Sequence, residues 1–238
     1  MPVPTENFAA LGAELASFFA GVLNASGAPG LFASLVYRDA IVWSAGLGVV
    51  SREAAPPAAP TLDTVFRLAS VTKVFVALQV YQMVERAQVA SVHDALSAYE
   101  PNFSIIDPFA RDGGGSSRGP TLHQLMAHAS GMPRELPCGS IFCNQTLAQV
   151  LQALAQFELI VPPYSRPSYS NAGFALLGNI LSATARAASW EQYVVTQVRW
   201  HKRQIISRLY PYFHSIFSLF VSPKKQEQRL TACHVHAP

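Results

Sequence analysis

The chain has 238 residues, half of them hydrophobic, with 17 basic and 14 acidic side chains. That length and apolar content suffice for one large or two small buried cores. Charge is unevenly placed: residues 1–198 carry ten basic and thirteen acidic groups, net −3, and residues 199–238 carry seven and one, net +6. The body has no electrostatic footprint for nucleic acid, so no nucleic-acid partner is expected. No run approaches the roughly 20 apolar residues of a membrane span. Tyr212–Val221 comes nearest, but it is short and contains His214. Met1-Pro2-Val3-Pro4 lacks a basic leader, and Glu6 and Glu14 interrupt the following apolar stretch, so no signal peptide is read. Three Asn-x-Ser/Thr sequons, at Asn24, Asn102 and Asn144, exceed the one or so expected by chance. That excess tilts toward a secretory route and leaves the compartment open.

Phe8, Leu11, Leu15, Phe18, Phe19 and Val22 recur at helical spacing and predict an amphipathic helix packed on the body. Leu31–Tyr37 and Ile41–Val49 read as two strands joined by a turn at Arg38-Asp39. Their partial alternation suits a sheet with helices against one face. Glu53–Pro60 is an Ala/Pro linker expected on the surface. Thr64–Arg86 reads as a helix that is almost continuously apolar after Lys73, hence buried all round. Helices with long loops are expected from Val89 onward. Arg111–Pro120 is a flexible insert without the Gly-Lys-Ser/Thr ending of a phosphate cradle. Thr121–Pro133 predicts a short helix capped at Thr121 and stopped by Gly131-Met132-Pro133, and Gln145–Phe157 a second, amphipathic one. A rigid Pro162–Pro167 loop then delivers Ser168-Tyr169-Ser170-Asn171-Ala172-Gly173 to a helix running through Phe174, Leu177, Ile180 and Leu181. Residues 199–238 form a divergent basic tail expected to be disordered. Its Phe213, Ile216, Phe217, Leu219 and Phe220 beside basic residues make contact with an anionic membrane the competing reading.

Chemistry concentrates at few positions. Lys73 is the only lysine in residues 1–198, three positions after Ser70. Residues three apart share a helix face, so an amine and a hydroxyl come within reach. A guanidinium never loses its proton and cannot serve as a base, whereas a desolvated amine can take the proton a serine sheds on attacking a carbonyl. Tyr169-Ser170-Asn171 is the candidate second group, presented on a proline-rich loop. A tyrosine near cations can share protons at neutral pH; the bland alternative for Tyr169 is a helix-start aromatic with a hydrogen-bonded hydroxyl. His123 and His128 fall on different helix faces and make no metal pair, and His128 reads as a structural hydrogen-bonding group near the Ser130-Gly131 turn. His201, His214, His234 and His236 lie in the tail, where His-x-His lacks further ligands. Acidic residues are scattered, with no pair that suggests glycoside chemistry. Cys138 and Cys143 are close enough in sequence to bridge, and their spacing is poor for zinc. No metal or cofactor is expected.

In order along the chain stand Phe66-Arg67-Leu68-Ala69-Ser70-Val71-Thr72-Lys73, Leu125-Met126-Ala127-His128-Ala129-Ser130-Gly131-Met132-Pro133, and Tyr169-Ser170-Asn171-Ala172-Gly173. As a set these resemble the serine β-lactamase and penicillin-binding-protein superfamily, on its class C, D,D-peptidase-like branch. Within it the chain looks most like the animal β-lactamase-like members. The resemblance covers about residues 5–198, including Trp190-Glu191-Gln192-Tyr193-Val194, with the tail at 199–238 outside it. It implies an α/β (α+β) fold, with an antiparallel sheet packed by helices and a mostly helical subdomain. It further implies that Ser70 is acylated, Lys73 helps deprotonate it, Tyr169 passes the proton to the leaving nitrogen, and Asn171 orients substrate and lysine. The Ser70 backbone N–H would supply half of an oxyanion hole. The family's third motif, Lys or His, a small residue and Gly, should follow the tyrosine motif. Gly178 is the last glycine, so that motif and the C-terminal sheet strands are expected to be missing. Two readings remain: a serine hydrolase acting on amide or ester bonds of a small-molecule or peptide substrate, or an inactive isoform or fragment with at most a binding role. Substrate and oligomeric state cannot be read from these residues.

Overall fold

The computed structural model describes residues 6–38, 40–53, 56–64, 66–110, 119–138 and 145–197. The insert at 111–118, Cys143, the Asn144 sequon and the basic tail lie outside the described residues. The chain divides into two compact units, Met1–Phe66 and Arg67–Pro238.

In the first unit, α1 (Glu6–Ser26) precedes an antiparallel hairpin of β1 (Gly30–Tyr37) and β2 (Ala40–Gly48). The strands fall within about a residue of their sequence limits. Pairing runs from Gly30 opposite Gly48 to Tyr37 opposite Ala40, with a shift between Leu35 and Val36 that leaves Val42 as the extra residue of a bulge. The apolar stripe of α1 meets the hairpin through rings: Phe19 stacks on Trp43 at 6.2 Å, and Phe8 tilts against Tyr37 at 5.8 Å. The Ala/Pro linker is not wholly on the surface. Pro60 is buried, and a Cβ at Gly46 would lie 1.6 Å from its carbonyl oxygen. Only a residue without a side chain lets that segment close on β2.

The buried apolar core belongs to the second unit. It comprises α2 (Thr72–Glu85), α3 (Leu122–Met126), α4 (Leu147–Leu154), α5 (Asn171–Thr184) and α6 (Trp190–Gln197). Helix α5 is central, with Phe174 through Gly178, Ile180 and Leu181 all buried. Val76, Val80 and Met83 of α2, Leu122 and Leu125 of α3, and Trp190 and Tyr193 of α6 complete the cluster. Each large side chain so buried contributes about 1.5–3 kcal/mol. Gln79 is fully buried in α2 and donates to Ser182 Oγ of α5 at 3.0 Å, which fixes the register of the two helices.

Two readings need correction. Helix α2 is not buried all round, because Val74 is 63% and Tyr81 52% exposed, while Lys73, Val76, Gln79, Val80 and Met83 are buried. Helix α3 stops at Met126 rather than near Pro133, since His128 (φ +55°) and Gly131 (φ +74°) both adopt left-handed backbone. Its start at Thr121 is as expected, with a complete capping box to Gln124. Between Val89 and Thr121 the described chain is one of the long loops expected, with a short turn of 3-10 helix at Leu96–Ala98.

Candidate active site

Ser70 lies in a 3-10 turn, Ala69–Val71, that runs directly into α2, and Lys73 occupies the first turn of that helix. Ala69, just before the serine, has φ +45°. For a residue with a Cβ this region costs about 1–2 kcal/mol, and such strain collects at functional sites. The serine is exposed while the lysine beside it is only 7% exposed. Lys73 Nζ donates to Asn171 Oδ1 at 2.7 Å and to Ser70 Oγ at 3.3 Å. Ser70 Oγ in turn lies 2.6 Å from the Tyr169 hydroxyl. With lysine hydrogens on the Oγ lone pair, the serine's own hydrogen is free to point at the tyrosine oxygen.

Local sequence explains how residues a hundred positions apart meet. Ser170 caps α5, accepting from Gly173 N at 2.8 Å while its hydroxyl donates to Pro133 O at 2.6 Å. Asn171 N and Ala172 N both donate to Arg134 O, at 2.7 and 3.1 Å, and Ser168 N donates to His128 O at 2.7 Å. The tyrosine loop is thereby laced to the segment after α3. That segment is itself fixed by Gly131, whose left-handed backbone lies so close to Val161 O that a Cβ would approach to 2.1 Å.

The site is rich in positive charge. Lys73 Nζ lies 4.7 Å and the Arg134 guanidinium 5.1 Å from the centre of the Tyr169 ring. Partial burial by itself raises the Tyr169 pKa, but hydrogen bonds with Lys73 and Ser70 and the charges of Lys73 and Arg134 outweigh it, leaving the phenol below its ordinary range. His128 stacks on the same ring at 4.3 Å. Burial pushes the imidazole pKa down and the Lys73 charge adds to this. The neutral ring accepts from Ser170 N through Nδ1 at 3.1 Å.

All four candidates named from sequence (Ser70, Lys73, Tyr169 and Asn171) converge within hydrogen-bonding distance. His128 has the hydrogen-bonding role expected of it, and its stacking on Tyr169 is additional. His123 is elsewhere, with Nδ1 3.2 Å from the Tyr164 hydroxyl. Two residues went unread in the sequence. Arg134 stacks on Tyr169, and Glu135 Oε1 accepts from Asn171 Nδ2 at 2.8 Å. Their one sequence signal is position, directly after the Ser130–Pro133 turn. Cys138 is disulfide-bonded, as its loop position allowed. Among the described residues no group of three His, Cys, Asp or Glu is placed to hold a metal, and no helix is long and apolar enough to cross a membrane.

An exposed hydroxyl flanked by an amine and a phenol is the constellation of nucleophilic acyl transfer. The Beta-lactamase family model matches residues 15–199, and the chain belongs to this family of serine β-lactamases and penicillin-binding proteins. It is 35% identical to beta-lactamase-like protein 2 of Dictyostelium discoideum over 181 residues, covering 73% of this chain and 31% of that protein. It is 32% identical over 143 residues to the D-alanyl-D-alanine-carboxypeptidase/endopeptidase AmpH of Escherichia coli, covering 58% of this chain and 35% of that one. The fold matches the β-lactamase/D-alanine carboxypeptidase of Yersinia pestis, solved with citrate. That match has a TM-score of 0.58 at 23% identity, over 74% of this chain and 49% of the other. The chain thus spans about a third of these two relatives.

Proposed function

We propose that this chain is a serine hydrolase that forms an acyl-enzyme on Ser70 and cleaves amide or ester bonds in a small-molecule or peptide substrate. The observation that carries the reading is the 2.6 Å contact from Ser70 Oγ to a tyrosine oxygen held among cations. In the ionised form Tyr169 accepts the serine proton as Oγ bonds to the substrate carbonyl carbon. It then gives that proton to the departing nitrogen or oxygen, so one proton passes from nucleophile to leaving group. Lys73 favours the phenolate and keeps Ser70 oriented. This differs in emphasis from the expectation that lysine is the first acceptor, because the tyrosine oxygen is closer by 0.7 Å. Asn171 fixes Lys73 from the other side. The Ser70 backbone N–H is the first oxyanion donor.

A fluorophosphonate probe tests this. The folded chain is expected to become labelled at Ser70, and Lys73→Ala to abolish the label. Absence of labelling in soluble, folded protein would favour the reading as a non-catalytic binding form.

A further inference from the structure

Glu135 presents a carboxylate to the hydrogen-bond chain that ends at Ser70. Its Oε1 accepts from Asn171 Nδ2 at 2.8 Å and lies 3.5 Å from Arg134 Nε, while Oε2 is buried with no hydrogen-bond partner among the described residues. A carboxylate has no hydrogen to offer, so it faces only the NH2 end of an asparagine amide. The oxygen end must then point away, toward Lys73, where it accepts at 2.7 Å. A reversed amide would aim two N–H groups at the ammonium. We propose that Glu135 is a positioning residue that locks the Asn171 amide with its oxygen toward Lys73 and thereby keeps the lysine aimed at Ser70. The proposal rests on the reading of Ser70 and Lys73 as a working pair. The lock is separable from the loop architecture, because Asn171 N and Ala172 N bond to the backbone carbonyl of Arg134. Those bonds survive any change of the side chain at 135.

Glu135→Gln is nearly isosteric yet removes the constraint. A glutamine can turn its own NH2 toward Asn171 Oδ1 and leave the asparagine NH2 facing Lys73. Two rates are measured: fluorophosphonate labelling of Ser70, and acetylation of the Lys73 amine by acetic anhydride. The second needs no catalysis and is read by mass on the Leu68–Arg86 peptide released by Arg-specific digestion. For Glu135→Gln, labelling is expected to fall on the order of a hundredfold, as for other small misplacements of reacting groups, and Lys73 acetylation to rise several-fold. Asn171→Asp alone sets two carboxylates against each other and is also expected to label slowly. The double variant Glu135→Gln/Asn171→Asp rebuilds the relay, with the glutamine NH2 donating to one aspartate oxygen and the other oxygen accepting from Lys73. Both rates are expected to return toward those of the unaltered chain. A Glu135→Gln protein with unchanged Lys73 acetylation, or a double variant no better than either single one, would overturn the proposal. If the unaltered chain takes no label while the acetylation pattern holds, the hydrolase reading fails and the positioning role stands.

Discussion

Replacing Lys73 by methionine separates a working lysine from a merely structural one. The side chain is 7% exposed, so its ammonium has lost most of its hydration, at a cost of several kcal/mol. Against this stand the charged hydrogen bond to Asn171 at 2.7 Å, about 1.5–3 kcal/mol, and cation–π contacts with Tyr169 at 4.7 Å and Phe174 at 5.7 Å, about 0.5–2 kcal/mol each. Methionine keeps the apolar stem, relieves the desolvation and leaves Asn171 Oδ1 unpaired, a loss of about 1–3 kcal/mol. These opposing effects cancel to within roughly 2 kcal/mol, so the urea midpoint should move by no more than about 1 M at an m-value of ~2 kcal/mol per M. Labelling of Ser70 should nevertheless drop by about two to four orders of magnitude, because Tyr169 loses the neighbouring charge that favours its ionised form and with it the usual contribution of a general base. Chemical denaturation and fluorophosphonate labelling of the same preparation measure both. The reasoning is refuted if Lys73→Met labels at the unaltered rate, or if it loses label only in proportion to the fraction unfolded.

Other expectations follow from single observations. Because the Tyr169 pKa is depressed, the labelling rate should rise with pH through a midpoint below tyrosine's ordinary value near 10, and Tyr169→Phe should remove that limb. By the same sign, the stability that Tyr169 contributes is complete above pH 10 and is lost as pH falls through its lower folded-state value. Gly131→Ala forces a Cβ to within 2.1 Å of Val161 O on left-handed backbone; a loss of at least about 2 kcal/mol is expected in urea, with labelling lost alongside. Ser170→Ala removes the α5 cap and the bond to Pro133 O, and should lower stability by about 1–2 kcal/mol by the same assay.

The parts legible in the sequence were those set by local chemistry. Ser70 and Lys73 are a helical turn apart, and Thr121 begins a capped helix, each readable within four residues. Strand limits were legible for a similar reason, since Gly30 and Gly48 bracket the paired apolar runs. What stayed hidden depends on contacts distant along the chain. Glu135 touches Asn171, 36 residues away, and Arg134 the ring of Tyr169; within their own segment only their place directly after the Ser130–Pro133 turn marks them. The early end of α3 was missed because His128 adopts a backbone region that its residue type seldom occupies. The exposed Val74 and Tyr81 escaped notice because composition records how apolar a helix is, not which of its sides finds a partner.

The most direct measurement is the mass of the Leu68–Arg86 peptide after reaction with a fluorophosphonate, with fragmentation to place the adduct. One phosphonyl group on Ser70, formed far more slowly in Tyr169→Phe and Lys73→Met, is the expected result. A folded chain whose Ser70 remains unmodified, or an adduct that fragmentation places on another residue of that peptide, would contradict the assignment of this hydroxyl as the nucleophile.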